Sequence, residues 1–452
     1  MDNLSMQSLK LSIILAIALV AHCYSLTAGA QDAPVMLITN VDVFDGVSDE
    51  LKKNTNVLLT GNKITAYGKR LQPPAGVIEI NGGGRILMPG LIDGHSHLSI
   101  IAPVRELQDM HWDEIGARMA VRAEDTLMRG FTSVRDLGGP VFGLKAAVDS
   151  GDVPGPRIFP SGAIISQTSG HGDFRKPRDP HPFLEGGSSN MQELGYYRIV
   201  DGPDQVLAAV RENLRNGATQ IKLMGSGGVG SDFDPIDSVQ FRPEEIRSAT
   251  DALADWGTYA GSHLHNGPAI KRALENGVKS IDHASQMSDE TMKLLKEKGA
   301  YMNPQYGWNV YVLQAGFLTE FQLEKAGIVL ENIDENIRLI KKHKVEITFN
   351  VDAFGPYELW SGLYAAEFTE RQKYFTNYEI LRQVTSVTAG LLEMSGKRNP
   401  YRGKLGVIEE GALADVILVN GNPLDDVSIL ANPEENIPVI IKDGEVVKNT
   451  LP

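Results

Sequence analysis

Eight apolar, β-rich runs recur through the middle of the chain, and helical patterns separate most of them. The runs are RILMPGLID (85–93), FTSVRDLG (131–138), RIFPSGAII (157–165), TQIKLMGS (219–226), TYAGSHL (258–264), KSIDHA (279–284), AYMNP (300–304) and VEITFNVD (345–352). Between them lie stretches such as PDQVLAAVRENLRNG, PEEIRSATDALADWG and SDETMKLLKEKG, which open at Pro or Ser and stop at Gly, as helices do. A helix between two strands carries the chain back to the starting edge, so the strands pair in parallel. Eight such alternations are what a (β/α)8 barrel requires. A doubly wound open sheet shares the alternation, but no glycine-rich GxGxxG turn follows the first run. The expected fold class is therefore α/β, with a (β/α)8 TIM barrel over residues 88–398.

The flanks read differently. Residues 31–87 alternate short β-rich runs with turns (VMLITNVDVFDG, NVLLTGNKITAYG, GVIEING), and the same texture returns over 399–452 in GALADVILVNGNPL and VIIKDGEVV. Such spacing predicts small antiparallel strands, and the two ends are expected to build one small β-sandwich domain together. Residues 1–30 read as an export signal. Lys10 precedes an apolar run, Leu11 to Ala21, too short to span a bilayer, and Ala28-Gly29-Ala30 supplies the small residues of a cleavage site. Export to the periplasm or medium, with no membrane span after cleavage, is the expectation. The single cysteine, Cys23, falls inside this segment, where the bulky His22 argues against lipoprotein cleavage. The mature protein then has no thiol, so any metal must be held by nitrogen and oxygen. Net charge is −14, without a Lys/Arg run to track a phosphate backbone, which excludes nucleic acid as a partner.

Catalytic groups of such a barrel sit at the C-terminal ends of its strands. His95 and His97 follow the first run in GLIDGHSHL, and a spacing of two on extended backbone points both imidazoles the same way. Lys222 lies inside an apolar run, where an ammonium must be neutralised or paired unless it snorkels to the surface. The chemical alternative is addition of CO2 to the neutral amine, giving a carbamate (N6-carboxylysine) whose two oxygens bridge two cations. His263 and His265 repeat the two-residue spacing, one as a ligand and the other toward substrate. His283 ends the sixth run, with Asp282 expected on the opposite face in a structural role. Asp352 ends the eighth run, where a carboxylate can bind an ion and accept a proton from water, or simply cap a helix. Nitrogen and oxygen donors without sulfur suit two Zn2+, with Mn2+ or Co2+ tolerated.

With these residues in place the sequence resembles the amidohydrolase superfamily from about Val35 to its C-terminus. PGLIDGHSHL matches the family's first-strand HxH element, IKLMGSGG its carboxylated-lysine strand, NVD its eighth-strand aspartate and GVIEEGALADVILVNGNPL its closing element. ISQTSGHGD, QFRPEEI and the His263–His265 pair resemble an imidazolonepropionase-like, Xaa-Pro-dipeptidase-like branch that includes ochratoxin-degrading amidases. The resemblance implies that His95, His97 and Asp352 hold one ion, that His263 and His283 hold the other, and that carboxylated Lys222 bridges them. It implies substrate contacts from His171 and His265, although His171 follows a flexible Ser169-Gly170 turn and fits a surface loop too. It also implies a homo-oligomer, a small amide or dipeptide substrate, attack by hydroxide bridging the ions, and Asp352 as base and then acid to the leaving amine. Arg175, Lys176 and Arg178 offer a cation for a leaving group's carboxylate, or are a solvated loop. Two departures, Asp282 for the branch's usual Glu and Gln305 for Thr, bear on substrate preference. A mononuclear deaminase, which needs no bridging lysine, a lactonase or cyclic amidase, and a non-catalytic binding protein are the rival readings.

Overall fold

The computed structural model describes residues 34–71, 76–311, 316 and 318–452. The expected export signal and Cys23 lie outside the described residues. Among the described residues no helix is long and apolar enough to cross a membrane.

The two ends of the chain do meet in one hydrogen-bonded sheet. From the N-terminal side come β1 (Val35–Val43), β2 (Lys52–Thr60), β3 (Lys63–Gly68), β4 (Ile78–Asn81) and β5 (Ile86–Pro89). Far along the chain, β15 (Val416–Val419), β16 (Val439–Lys442) and β17 (Glu445–Asn449) complete it in the order β17-β16-β15-β5-β1-β2-β3, with β4 beside β1. The seam is antiparallel pairing of β5 with β15, Pro89 opposite Val416. Asp443 and Gly444 both take positive φ in the β16–β17 turn, the conformation that matches a right-handed hairpin twist. One face buries Ile38, Val57, Leu59, Leu87, Val416 and Ile441.

The middle of the chain supplies parallel strands. β6 (Leu91–Ser96), β7 (Phe131–Asp136) and β8 (Arg157–Pro160) form a three-stranded sheet. β9 (Ile164–Ser166), β10 (Tyr197–Ile199), β11 (Ile221–Met224), β12 (Ala260–Leu264), β13 (Ser280–His283) and β14 (Tyr301–Asn303) form another, in the order β10-β9-β11-β12-β13-β14. The run RIFPSGAII thus splits into β8 and β9 around Gly162, at φ +72. Between β5 and β6 only Gly90 fits, because a Cβ there would lie 2.2 Å from Thr132 Oγ1. Every residue of β6, β7, β11, β12 and β13 is buried, polar and charged side chains included. The helices lie where the caps predict. Helix Pro203–Asn216 starts with Pro, stops at Gly217 (φ +108) and buries Val206, Ala209, Val210, Asn213 and Leu214, one helical stripe.

The eighth run departs from expectation. Residues 345–352 form no ladder, only isolated parallel bridges, Met302 with Ile347 and Ser96 with Ala353. The physical reason is competition for backbone donors: Thr388 Oγ1 accepts from Phe349 N at 2.9 Å and Asp93 Oδ1 from Val351 N at 3.1 Å. The segment still joins the two sheets, since Thr348 N donates to Met302 O of β14, while on the β6 side Gly94 N donates to Phe349 O and Asp352 N to His95 O. Arg157 ties this parallel layer to the small sheet, reaching Asp415 at 2.7 Å and Asp443 at 2.6 Å.

Candidate active site

The polar residues at the ends of the parallel strands converge. His95 and His97 leave β6 with their Nε2 atoms 3.2 Å apart, and each Nε2 lies 3.3 Å from Asp352 Oδ1. Asp93 fixes this corner, accepting from His95 N at 2.9 Å as well as from Val351 N at 3.1 Å. His263, His265 and His283, from β12 and β13, form a second group, with centroids 4.6, 4.3 and 5.0 Å apart. In each group one donor atom per residue lies within 4.8 Å of the others. His95 and His283, 5.1 Å apart, join the groups.

Burial pushes the imidazoles of His95, His263 and His283 well below 6.5, and that of His265 down to about 3, so all four are neutral near pH 7. Their hydrogen bonds then assign lone pairs. His263 Nε2 faces the Gly227 carbonyl at 3.2 Å; a carbonyl only accepts, so Nε2 carries the proton and Nδ1 is the donor atom. His265 Nδ1 meets Ser285 Oγ at 2.7 Å, and His283 Nδ1 meets the Gln305 carboxamide. Neutral imidazoles and a carboxylate oxygen packed at such distances repel through their lone pairs unless a proton or cation lies among them. The donor set therefore fits divalent cations.

Lys222, on β11, lines the same cavity, its Nζ 2.6 Å from Asp282 Oδ2. Asp282 Oδ1 accepts from Arg135 at 2.7 Å and from Asn303 at 2.9 Å. Burial, assisted by the Arg135 charge, lowers the Lys222 pKa toward the neutral amine that carboxylation requires, although Asp282 opposes it. Asp282 takes the structural role expected of it: its side chain is buried among Lys222, Arg135 and Asn303 and does not line the cavity that His283 lines. His283 itself sits at φ +68. Asp352, at φ +54, is another non-glycine residue held left-handed, and such strain gathers where surrounding contacts over-determine a site.

His171 also lines the cavity and is no free loop residue; its ring stacks on His263 at 4.0 Å and 22°, and its Nδ1 lies 2.7 Å from Ser231 Oγ. Of the three expected cations, Arg175 lines the cavity paired in bidentate fashion with Asp173, Lys176 reaches Asp109 at 3.1 Å, and Arg178 is exposed. The cavity encloses about 850 Å3, with apolar wall from Ile100, Val104, Phe174, Trp308, Leu330 and Phe354. Arg135 and Trp308, whose indole donates to Asp352 O at 3.1 Å, were not singled out from sequence. Arg135 was findable, being a second charge within an apolar run; Trp308 opens a short helix, Trp308–Tyr311, with no such signal.

A model of the amidohydrolase family matches residues 86–447. Ochratoxinase from Aspergillus niger is 30% identical over 379 residues, covering 80% of this chain and 76% of that protein. Among solved structures, a prolidase complexed with N-methylphosphonate-L-proline superposes with a TM-score of 0.85 at 34% identity, covering 92% of this chain and 100% of that one. A Xaa-Pro dipeptidase with methionine bound in its active site gives 0.79 at 30% identity, again over 92% and 100%.

Proposed function

The chain belongs to the amidohydrolase family, and from that premise we propose that it is a dinuclear-metal hydrolase that cuts an amide or peptide bond to release a C-terminal amino acid. The observation that carries this reading is the facing of two donor groups, His95/His97/Asp352 and His263/His265/His283, across one cavity floored by Lys222. In this reading the eight parallel segments close as a barrel through the bridges at Ile347 and Ala353. His95, His97 and Asp352 would hold one ion and His263 and His283 the other, with Lys222, once carboxylated, as the ligand they would share. When bound, a pair of Zn2+, Mn2+ or Co2+ ions supplies Lewis acidity toward the scissile carbonyl and acidifies water.

The chain's own residues then divide the remaining work. Asp352 takes the proton of the attacking water and returns it to the departing nitrogen. Its backbone is held by Trp308 and by the turn at φ +54, which keeps the carboxylate facing His95 and His97. His265 and His171, neighbours of His263, contact the substrate carbonyl. Arg135 supplies the charge that lets Asp282 stay ionised once Lys222 is converted from cation to anion. Similarity to ochratoxinase and to prolidases supports dipeptides, N-acyl amino acids and ochratoxin-like amides as the substrate range. The apolar wall suits a bulky acyl group.

The test is cation analysis combined with a hydrolysis screen after loading with Zn2+ and bicarbonate. The screen compares Xaa-Pro dipeptides, N-acyl amino acids, ochratoxin-like amides and lactones. Two ions per chain and hydrolysis of at least one amide class are expected, and Lys222→Ala should lose one ion and most turnover. Activity confined to lactones, or full turnover by Lys222→Ala with one ion, would sink the proposal.

A further inference from the structure

Lys325, on helix Glu320–Leu330, is 2% exposed and its Nζ donates to two backbone carbonyls, Ser231 O at 2.7 Å and Asp234 O at 3.2 Å. The Phe321 ring covers the ammonium at 4.7 Å. Withdrawing an ammonium from water is unfavourable unless its new contacts make up for it, and its carbonyl partners are not random loop atoms. The side chains of the same two residues address His171: Ser231 Oγ lies 2.7 Å from its Nδ1, and Asp234 Oδ2 3.6 Å from the same atom. Asp234 Oδ2 also accepts from Gly228 N at 2.9 Å, which draws Gly228 against the imidazole. A Cβ on Gly228 would come within 2.5 Å of three ring atoms of His171. The ring itself stacks on His263. A second tie runs from the same helix, Gln322 Nε2 to Gly230 O at 3.2 Å. With Nδ1 committed to Ser231, Nε2 is the ring nitrogen that remains for a ligand in the cavity.

We propose that Lys325 is a positioning residue: by gripping the carbonyls of Ser231 and Asp234 it fixes the loop that holds His171 against His263, and so presents His171 Nε2 to the substrate. The proposal rests on the hydrolase reading above. It assigns helix Glu320–Leu330 a part in the reaction, although its lysine touches neither a candidate ligand nor the substrate.

A double-mutant cycle on the full, zinc-loaded chain tests it, with the best amide from the screen as substrate. Lys325→Met should lower kcat about tenfold, within the range a displacement of about 1 Å produces, with KM and cation content unchanged. Lys325→Arg should recover most of that loss. His171→Ala and the double variant Lys325→Met/His171→Ala should be equally slow, because the lysine acts only through the imidazole. Multiplying losses in the double variant, an unchanged kcat in Lys325→Met, or a lowered cation content would each overturn the proposal. Should Lys325→Met not fold, Lys325→Gln, which keeps an N–H for the same carbonyls, carries the cycle. An unchanged rate in His171→Ala removes this proposal alone, whereas a wild-type enzyme inactive on every amide removes the reading beneath it.

Discussion

Asp282 stands between two buried cations, Lys222 at 2.6 Å and Arg135 at 2.7 Å, with neither partner exposed by more than 1%. Burial alone would raise its pKa, but the two positive charges outweigh that and hold the carboxyl below its usual range. Removing the anion leaves charge uncompensated in the interior, which costs about 3–5 kcal/mol. Asp282→Asn, measured by urea unfolding of the metal-free protein, should lose stability of that order; a loss below about 1 kcal/mol, typical of surface pairs, would show that the three groups do not interact as described. The sequence made Lys222 conspicuous because an ammonium in an apolar run demands a reason. It could not show that His283 takes a left-handed φ, which carries no reliable signature outside glycine and asparagine. For the same reason Asp352 was visible as a residue type at a run's end, while its strained backbone was not.

At the scale of elements, the least regular piece is the most consequential. Residues 345–352 carry Asp352 into the cavity without a ladder, held by Thr388 Oγ1 on Phe349 N and by Asp93 on Val351 N. Thr388→Val keeps the shape and removes the acceptor, leaving a buried N–H unsatisfied at a cost of about 1–3 kcal/mol. Thermal melting should register the loss, and zinc titration should show weaker binding as Asp352 shifts; unchanged affinity would mean that Asp352 is positioned by other contacts. β-rich composition predicted a strand here, and the segment forms only isolated parallel bridges. What composition does not encode is that threonine and aspartate side chains from elsewhere take the donors a ladder would use. Helix boundaries were more legible, because Pro203 and Gly217 act locally.

Across the whole molecule, Arg157 joins the parallel layer to the small sheet through Asp415 and Asp443. Burial would raise the Asp443 carboxyl, yet Arg157 outweighs it and holds the pKa below 3.8. The folded-state value is thus the lower one, so the contribution is present above the ordinary carboxylate range and is lost as pH falls through the folded value. Asp443→Asn, which tolerates the left-handed turn, should melt below the wild type near neutrality and converge with it as pH falls below the ordinary carboxylate range. Parallel melting curves across that interval would rule the contact out as a pH-sensitive brace. That both chain ends contribute strands of one texture was readable, and they share one sheet, but Arg157 lies in an apolar run whose distant partners no local pattern announces.

The pairing of Pro89 with Val416 has a further consequence for synthesis. β5 finds its neighbour only after more than three hundred intervening residues have left the ribosome, roughly 15–65 s at ordinary elongation rates. Throughout that time the nascent half-sheet offers an open edge to any passing strand. A polypeptide arranged this way gains by remaining unstructured, or shielded by a holding chaperone, until β15 arrives. The later-made strand acts as the latch on the earlier one.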